Sequence, residues 1–123
     1  MSNQDVVILI SEFAVALIDE IQHKLKTLNS SRDGMNYLIL TELYSLRTRT
    51  YIISHESHFF QLNREISKSE VISTFQKVKA KMTVTEDLLI LKKIVFLISM
   101  LISSIGVGEA ETTLEILKKL DSL

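Results

Sequence analysis

The chain has no proline and only three glycines, Gly34, Gly106 and Gly108, in 123 residues. These are the two strongest interrupters of regular backbone: proline lacks an amide donor and crowds the preceding turn, and glycine leaves the backbone unrestrained. A chain almost without them is free to run in long helices. Helix starts must then be marked by other residues. A serine or threonine three positions ahead of an acid does this, because the two side chains can satisfy the unpaired amides of a first turn. The spacing occurs at Ser2 with Asp5, Ser30 with Asp33, Ser67 with Glu70, and Thr83 with Glu86. A fifth start is expected near Gly108, with Glu109 and Glu111 in its first turn and Lys118 and Lys119 toward its end, as the helix dipole favours.

Apolar residues recur at helical spacing inside each of these segments. A first helix over about residues 4–28 carries Val7, Ile10, Ala14, Leu17, Ile21 and Leu28 on its main face, widened by Phe13 and Ile18. Ile8 and Val15 fall off that face, so both sides of the helix need cover. A second helix from about Asp33 turns Met35, Leu38, Ile39, Leu43, Leu46 and Ile53 inward. Whether it runs on through HESHFFQL or breaks near Ser54 is open, because the β-branched residues Thr48, Thr50, Ile52 and Ile53 weaken it; a continuation or a kink is expected there, not a strand. A third helix over about 69–82 buries Val71, Ile72, Phe75, Val78 and Met82, and a fourth over about 85–105 is apolar around most of its circumference. Such a helix belongs at the centre of a bundle or at an oligomer interface. The fifth, about 109–122, closes the chain on Leu114, Leu117 and Leu120. The expected fold class is all-α, an antiparallel bundle of four long helices plus a short C-terminal helix. It forms a single helical-bundle domain over residues 1–123.

Composition bounds the chemistry. Without cysteine there are no disulfides, thiolate metal sites or cysteine nucleophiles. The N-terminus lacks the basic start and small-residue cleavage site of an export signal, so a cytoplasmic location is expected. The apolar run Ile94–Ile105 falls short of the ~20 residues of a membrane span and follows Lys92 and Lys93, so no membrane association is expected. The net charge of −1 conceals an uneven distribution, because Leu43–Thr85 holds seven basic residues against three acidic ones. That split fits an anion-binding face or charge-matched self-association, and equally two ordinary solvated surfaces.

Tyr37, Tyr44 and Tyr51 stand seven residues apart on the side of the second helix opposite its core face, with Arg47 between two of them and His58 at the next step of seven. Aromatic rings beside a cation form a platform for stacking nucleic-acid bases or for packing against a partner helix. In a bundle that buries both faces they are instead core rings whose hydroxyls reach the rim. The candidate binding residues are therefore Tyr37, Tyr44, Arg47, Tyr51 and His58, extended by Lys77 and Lys81 of the third helix.

The stretch RTYIISH places Arg49 six residues before His55. An arginine, a few intervening residues and a histidine on a small helical bundle resembles the signature of HEPN-domain ribonucleases. The resemblance covers seven residues and implies a cleft at a dimer interface, in which Arg49 steadies a phosphate and His55 moves a proton. Arg49 also falls with Glu42 at the edge of the core face, where an ion pair explains it equally. His55 and His58 with Glu56 lack a third histidine nearby, so no metal site is expected, and no phosphate loop, nucleophile motif or cofactor fingerprint occurs.

The function expected from these residues is non-catalytic: a small helical interaction protein, self-associating or an adaptor in a larger macromolecular assembly, with a second copy or another protein as partner. No cofactor and no small-molecule substrate is expected. The alternatives are the HEPN-like ribonuclease using Arg49 and His55, and a nucleic-acid-binding small subunit of a ribonucleoprotein complex.

Overall fold

The computed structural model of the chain describes residues 2–28 and 34–123, apart from the side chains of residues 2, 3, 28, 34–38 and 59. Among the described residues five helices follow in order: α1 (Ser2–Leu28), α2 (Gly34–His55), α3 (Lys68–Val84), α4 (Leu88–Gly106) and α5 (Ala110–Asp121), with a 3-10 turn over Ser57–Phe59. The protein is an all-α bundle of four long helices and one shorter one, as the scarcity of breakers implies.

Cross-contacts fix the directions. Asp19 meets Arg47 and Lys26 meets Tyr44, so α1 and α2 are antiparallel. Phe13 stacks on Phe75, with ring centroids 5.0 Å apart, and Lys24 reaches Thr83 and Thr85, so α3 returns parallel to α1. The Ser104 hydroxyl lies 2.7 Å from that of Thr113, tying α4 to α5 across their turn. α3 and α4 are consecutive, and α5 packs extensively on both.

The centre of the bundle is α1, which touches α2, α3, α4 and the 3-10 turn. Val6, Val7, Ile10, Ala14, Leu17, Ile18, Ile21 and Leu25 are all buried. Each large aliphatic side chain among them stabilises the fold by about 1.5–3 kcal/mol relative to an exposed one. Ile8 and Val15 are half-buried. The excess apolar surface of α1 is thus taken up inside one copy of the chain.

Of the two positions expected for α4, the centre of the bundle is taken by α1. α4 is long and apolar enough to cross a membrane by length and composition alone. Here it buries one side, Leu91, Ile94, Leu97, Ile98, Leu101, Ile102 and Ile105, and leaves Leu89 and Phe96 exposed. It is a lateral helix with a bare outer side, because α1 already occupies the middle.

Helix ends follow the sequence in part. Ser67 caps α3, its hydroxyl accepting the Glu70 amide. Thr83 does not start α4. α3 continues through it to Val84, the Thr83 hydroxyl donates back to the Lys79 carbonyl, and Asp87 accepts the Leu89 amide as the true cap. The Ser30 and Asp33 signal lies outside the described residues. Ile72, expected in the core, is exposed, whereas Leu114 is half-buried and Thr113 and Ile116 complete the inner face of α5.

Candidate functional site

α2 carries its core residues Leu43, Leu46, Thr50 and Ile53 along one line, and this leaves two flanks. The flank beside α1 holds the aromatic residues. Tyr44 is 51% and Tyr51 50% exposed. The Lys26 ammonium lies over the Tyr44 ring, 6.0 Å from its centroid, and the His55 ring stacks on Tyr51 at 3.9 Å. Arg47 is committed: its Nε donates to Asp19 Oδ1 at 2.7 Å and its Nη2 to Oδ2 at 3.4 Å. That hydrogen bond, with the nearby carboxylate charge, raises the Arg47 pKa above its already high value, so the guanidinium stays charged.

The ladder does not continue to His58. α2 ends at His55, whose ring nitrogen Nδ1 lies 3.1 Å from the Tyr51 carbonyl oxygen, and Gln4 of α1 holds the following turn by donating to the Ser57 hydroxyl. His58 sits in that turn, 3.8 Å from the Glu56 carboxylate. Its place on the aromatic flank is taken by His55. The Tyr37 side chain is outside the described residues. Of the lysines, Lys77 donates to Asp121 of α5 at 3.1 Å, and Lys81 is half-buried. The expected binding residues are therefore divided among three places and do not form one patch.

The other flank of α2 faces α4. Glu42, Ser45, Arg49 and Ile52 fall there in one stripe, and opposite them α4 presents Phe96, Ser99, Ser103 and Gly106. Between the helices lie two cavities. One, about 390 Å³, is lined by Ile39, Glu42, Lys92, Val95, Phe96 and Ser99. The next, about 240 Å³, is lined by Arg49, Ile52, Ile53, Phe60, Ile102, Ser103 and Gly106. Increasing numbers on α2 match increasing numbers on α4, so the two helices run parallel and in step. Phe96 is 64% and Ile52 49% exposed.

Glu42 and Arg49 stand two turns apart on one helix and form no ion pair with each other or with any other described residue. Arg49 lines the α2/α4 cavity, whereas His55, six residues on and about 120° around the helix, stacks on the aromatic flank. One copy does not bring them together. No group of three metal-ligating side chains occurs among the described residues.

The α4 side of this groove was not among the residues expected from the sequence. Its signal was present in the small residues Ser99, Ser103 and Gly106, which interrupt the mostly apolar run after Lys93 on the side where Phe96 emerges. No protein-family model, no curated protein and no solved structure matches the chain.

Proposed function

We propose that the chain is a non-catalytic helical interaction protein of the cytoplasm, a self-associating subunit or adaptor of a larger assembly that docks onto a protein partner, a second copy or a different chain, through the outward sides of α2 and α4. The observation that carries this reading is the open α2/α4 groove, with Ile52 and Phe96 standing on its walls. Exposed apolar groups gathered along one groove are what a protein contact removes from water. Two further observations favour binding over catalysis. Arg49 and His55 occupy different flanks of α2, and the best-placed cations of the aromatic and α3 surfaces, Arg47 and Lys77, are already bound to carboxylates.

The test is photo-crosslinking in cells, with benzoylphenylalanine replacing Phe96, Tyr51 or, as control, Lys118 on the exposed side of α5. Position 96 is expected to give discrete crosslinked protein bands that the control does not. Equal labelling at 96 and 118, or none at either, would refute the reading.

A further inference from the structure

The α2/α4 groove is self-complementary. Glu42 and Arg49, of opposite charge, lie seven residues apart on α2, and Phe96 and Ser103, a projecting ring and a recess, lie seven residues apart on α4. The midpoint of the first pair falls beside Ser45 and that of the second beside Ser99. The cavities place these midpoints at the same level, since Ile39 and Glu42 share one cavity with Val95 and Phe96, and Arg49 and Ile52 share the next with Ile102 and Ser103. A single two-fold axis lying in this face, across both helices at that level, therefore satisfies both pairs at once.

Resting on the interaction reading above, we infer that the occupant of the groove is a second copy of this chain, packed with its α2 and α4 antiparallel to the first. Each Glu42 then meets Arg49 of the other copy, as an isologous contact requires. Each Phe96 ring enters the 240 Å³ recess beside Ser103 and Gly106 of the other copy, where the small side chains admit it. Opposite charges facing each other fix the register, and the rings supply the buried apolar area.

The face is about 28 Å long, from the rise of a helix the length of α4, and about 20 Å wide for two helices. That is roughly 550 Å² per copy, at the low end of specific interfaces. The association is accordingly reversible and depends on concentration.

Two experiments test this on the full chain. In sedimentation equilibrium the wild type shifts from monomer to dimer with rising concentration. Glu42→Arg or Arg49→Glu alone weakens the association about tenfold or more, and the double exchange returns it to within about threefold of wild type. Because the chain has no cysteine, Ser45→Cys and Ser99→Cys each introduce a lone thiol beside the axis. At least one of them is expected to oxidise to a covalent dimer well ahead of Ser73→Cys on the exposed side of α3. A monomer at all concentrations with no preferential crosslink overturns the inference, as does a dimer that the double exchange fails to restore. If position 96 still crosslinks to a different protein while the chain stays monomeric, the docking reading stands and only the second copy is refuted.

Discussion

The side-chain carbonyl of Asn63 accepts a hydrogen bond from the Ala110 backbone amide at 3.0 Å, joining residues 47 positions apart. The Asn63 backbone amide donates to the Gly108 carbonyl at 2.9 Å, so the connection between α2 and α3 caps the first turn of α5. Glu109, at the local cap position, supplies no side-chain bond. Asn63→Ala should therefore lower stability by about 1 kcal/mol, as loss of a helix cap does. A reduced urea midpoint with unchanged slope is the expected measurement.

The glycines on either side of Val107 should respond in opposite directions. Gly108 has φ +76°, and a Cβ there would stand 2.6 Å from the Gln61 carbonyl oxygen. Gly108→Ala then combines left-handed strain of about 1–2 kcal/mol with a backbone clash, and should lower the melting temperature clearly. Gly106 ends α4 with nothing within 4 Å of its would-be Cβ. Gly106→Ala should stabilise the isolated chain by up to about 0.5–1 kcal/mol. A lower melting temperature for Gly106→Ala would contradict this assignment.

Ser104 and Thr113 form a buried polar bridge between α4 and α5. Ser104 donates to the Leu101 carbonyl, Thr113 lies 2.7 Å from the Glu109 carbonyl, and the two hydroxyl oxygens are also 2.7 Å apart. Thr113→Val keeps the shape but leaves the Ser104 oxygen without its cross-helix partner, a loss of about 1–3 kcal/mol. Adding Ser104→Ala removes the stranded group, so the double variant should be less destabilised than the sum of the singles. Strict additivity in chemical denaturation would show that the hydroxyls are not coupled.

The parts of this architecture that depend on local chemistry were legible in the sequence. Long helices follow from the missing proline, and the Ser67 cap from its spacing to Glu70. The parts that failed depend on contacts distant in sequence. Thr83 with Glu86 had the spacing of a start, but Lys24 of α1 donates to the Thr83 and Thr85 carbonyls and holds the end of α3 there. The charge belongs at a helix C-terminus, and no local pattern reveals it. Asn63 carries no local cap signal for the same reason. The same limit applies to the candidate site. The periodicity of α2 separated its core line from its flanks, yet it could not tell that α1 lies against the aromatic flank and α4 against the other. Nor could the apolarity of α4 distinguish a central helix from a lateral one, since both positions favour the same residues.

Arg49 and His55 should prove independent of each other. Arg49 belongs to the α2/α4 groove and His55 is stacked on Tyr51, and in the dimer inferred above Arg49 faces Glu42 of the other copy rather than its His55, so neither one copy nor that dimer brings the two to one phosphate. Incubation of the purified chain with mixed RNA should give no more cleavage than Arg49→Ala or His55→Ala preparations. Cleavage lost in both variants would instead assign them a shared catalytic role.

Nucleic acid should bind weakly and without the salt dependence of a phosphate-reading surface. Such surfaces release counterions in proportion to the phosphates they neutralise, so affinity falls steeply as salt rises. The basic excess between Leu43 and Thr85 suggests such a surface on paper, but Arg47 holds Asp19 at 2.7 Å and Lys77 holds Asp121 at 3.1 Å. A guanidinium paired with a carboxylate on the neighbouring helix presents little net charge to a phosphate, and of the half-exposed Tyr44 and Tyr51 rings the first already carries the Lys26 ammonium and the second the His55 ring. Titration of a fluorescent single-stranded RNA at 50 and 200 mM salt should show little change in an already low affinity. If Asp19→Asn and Asp121→Asn together create tight, salt-sensitive binding, the two carboxylates are what silence the surface; a steep salt slope in the wild type would show that the pairs open readily and that the basic segment reads phosphate.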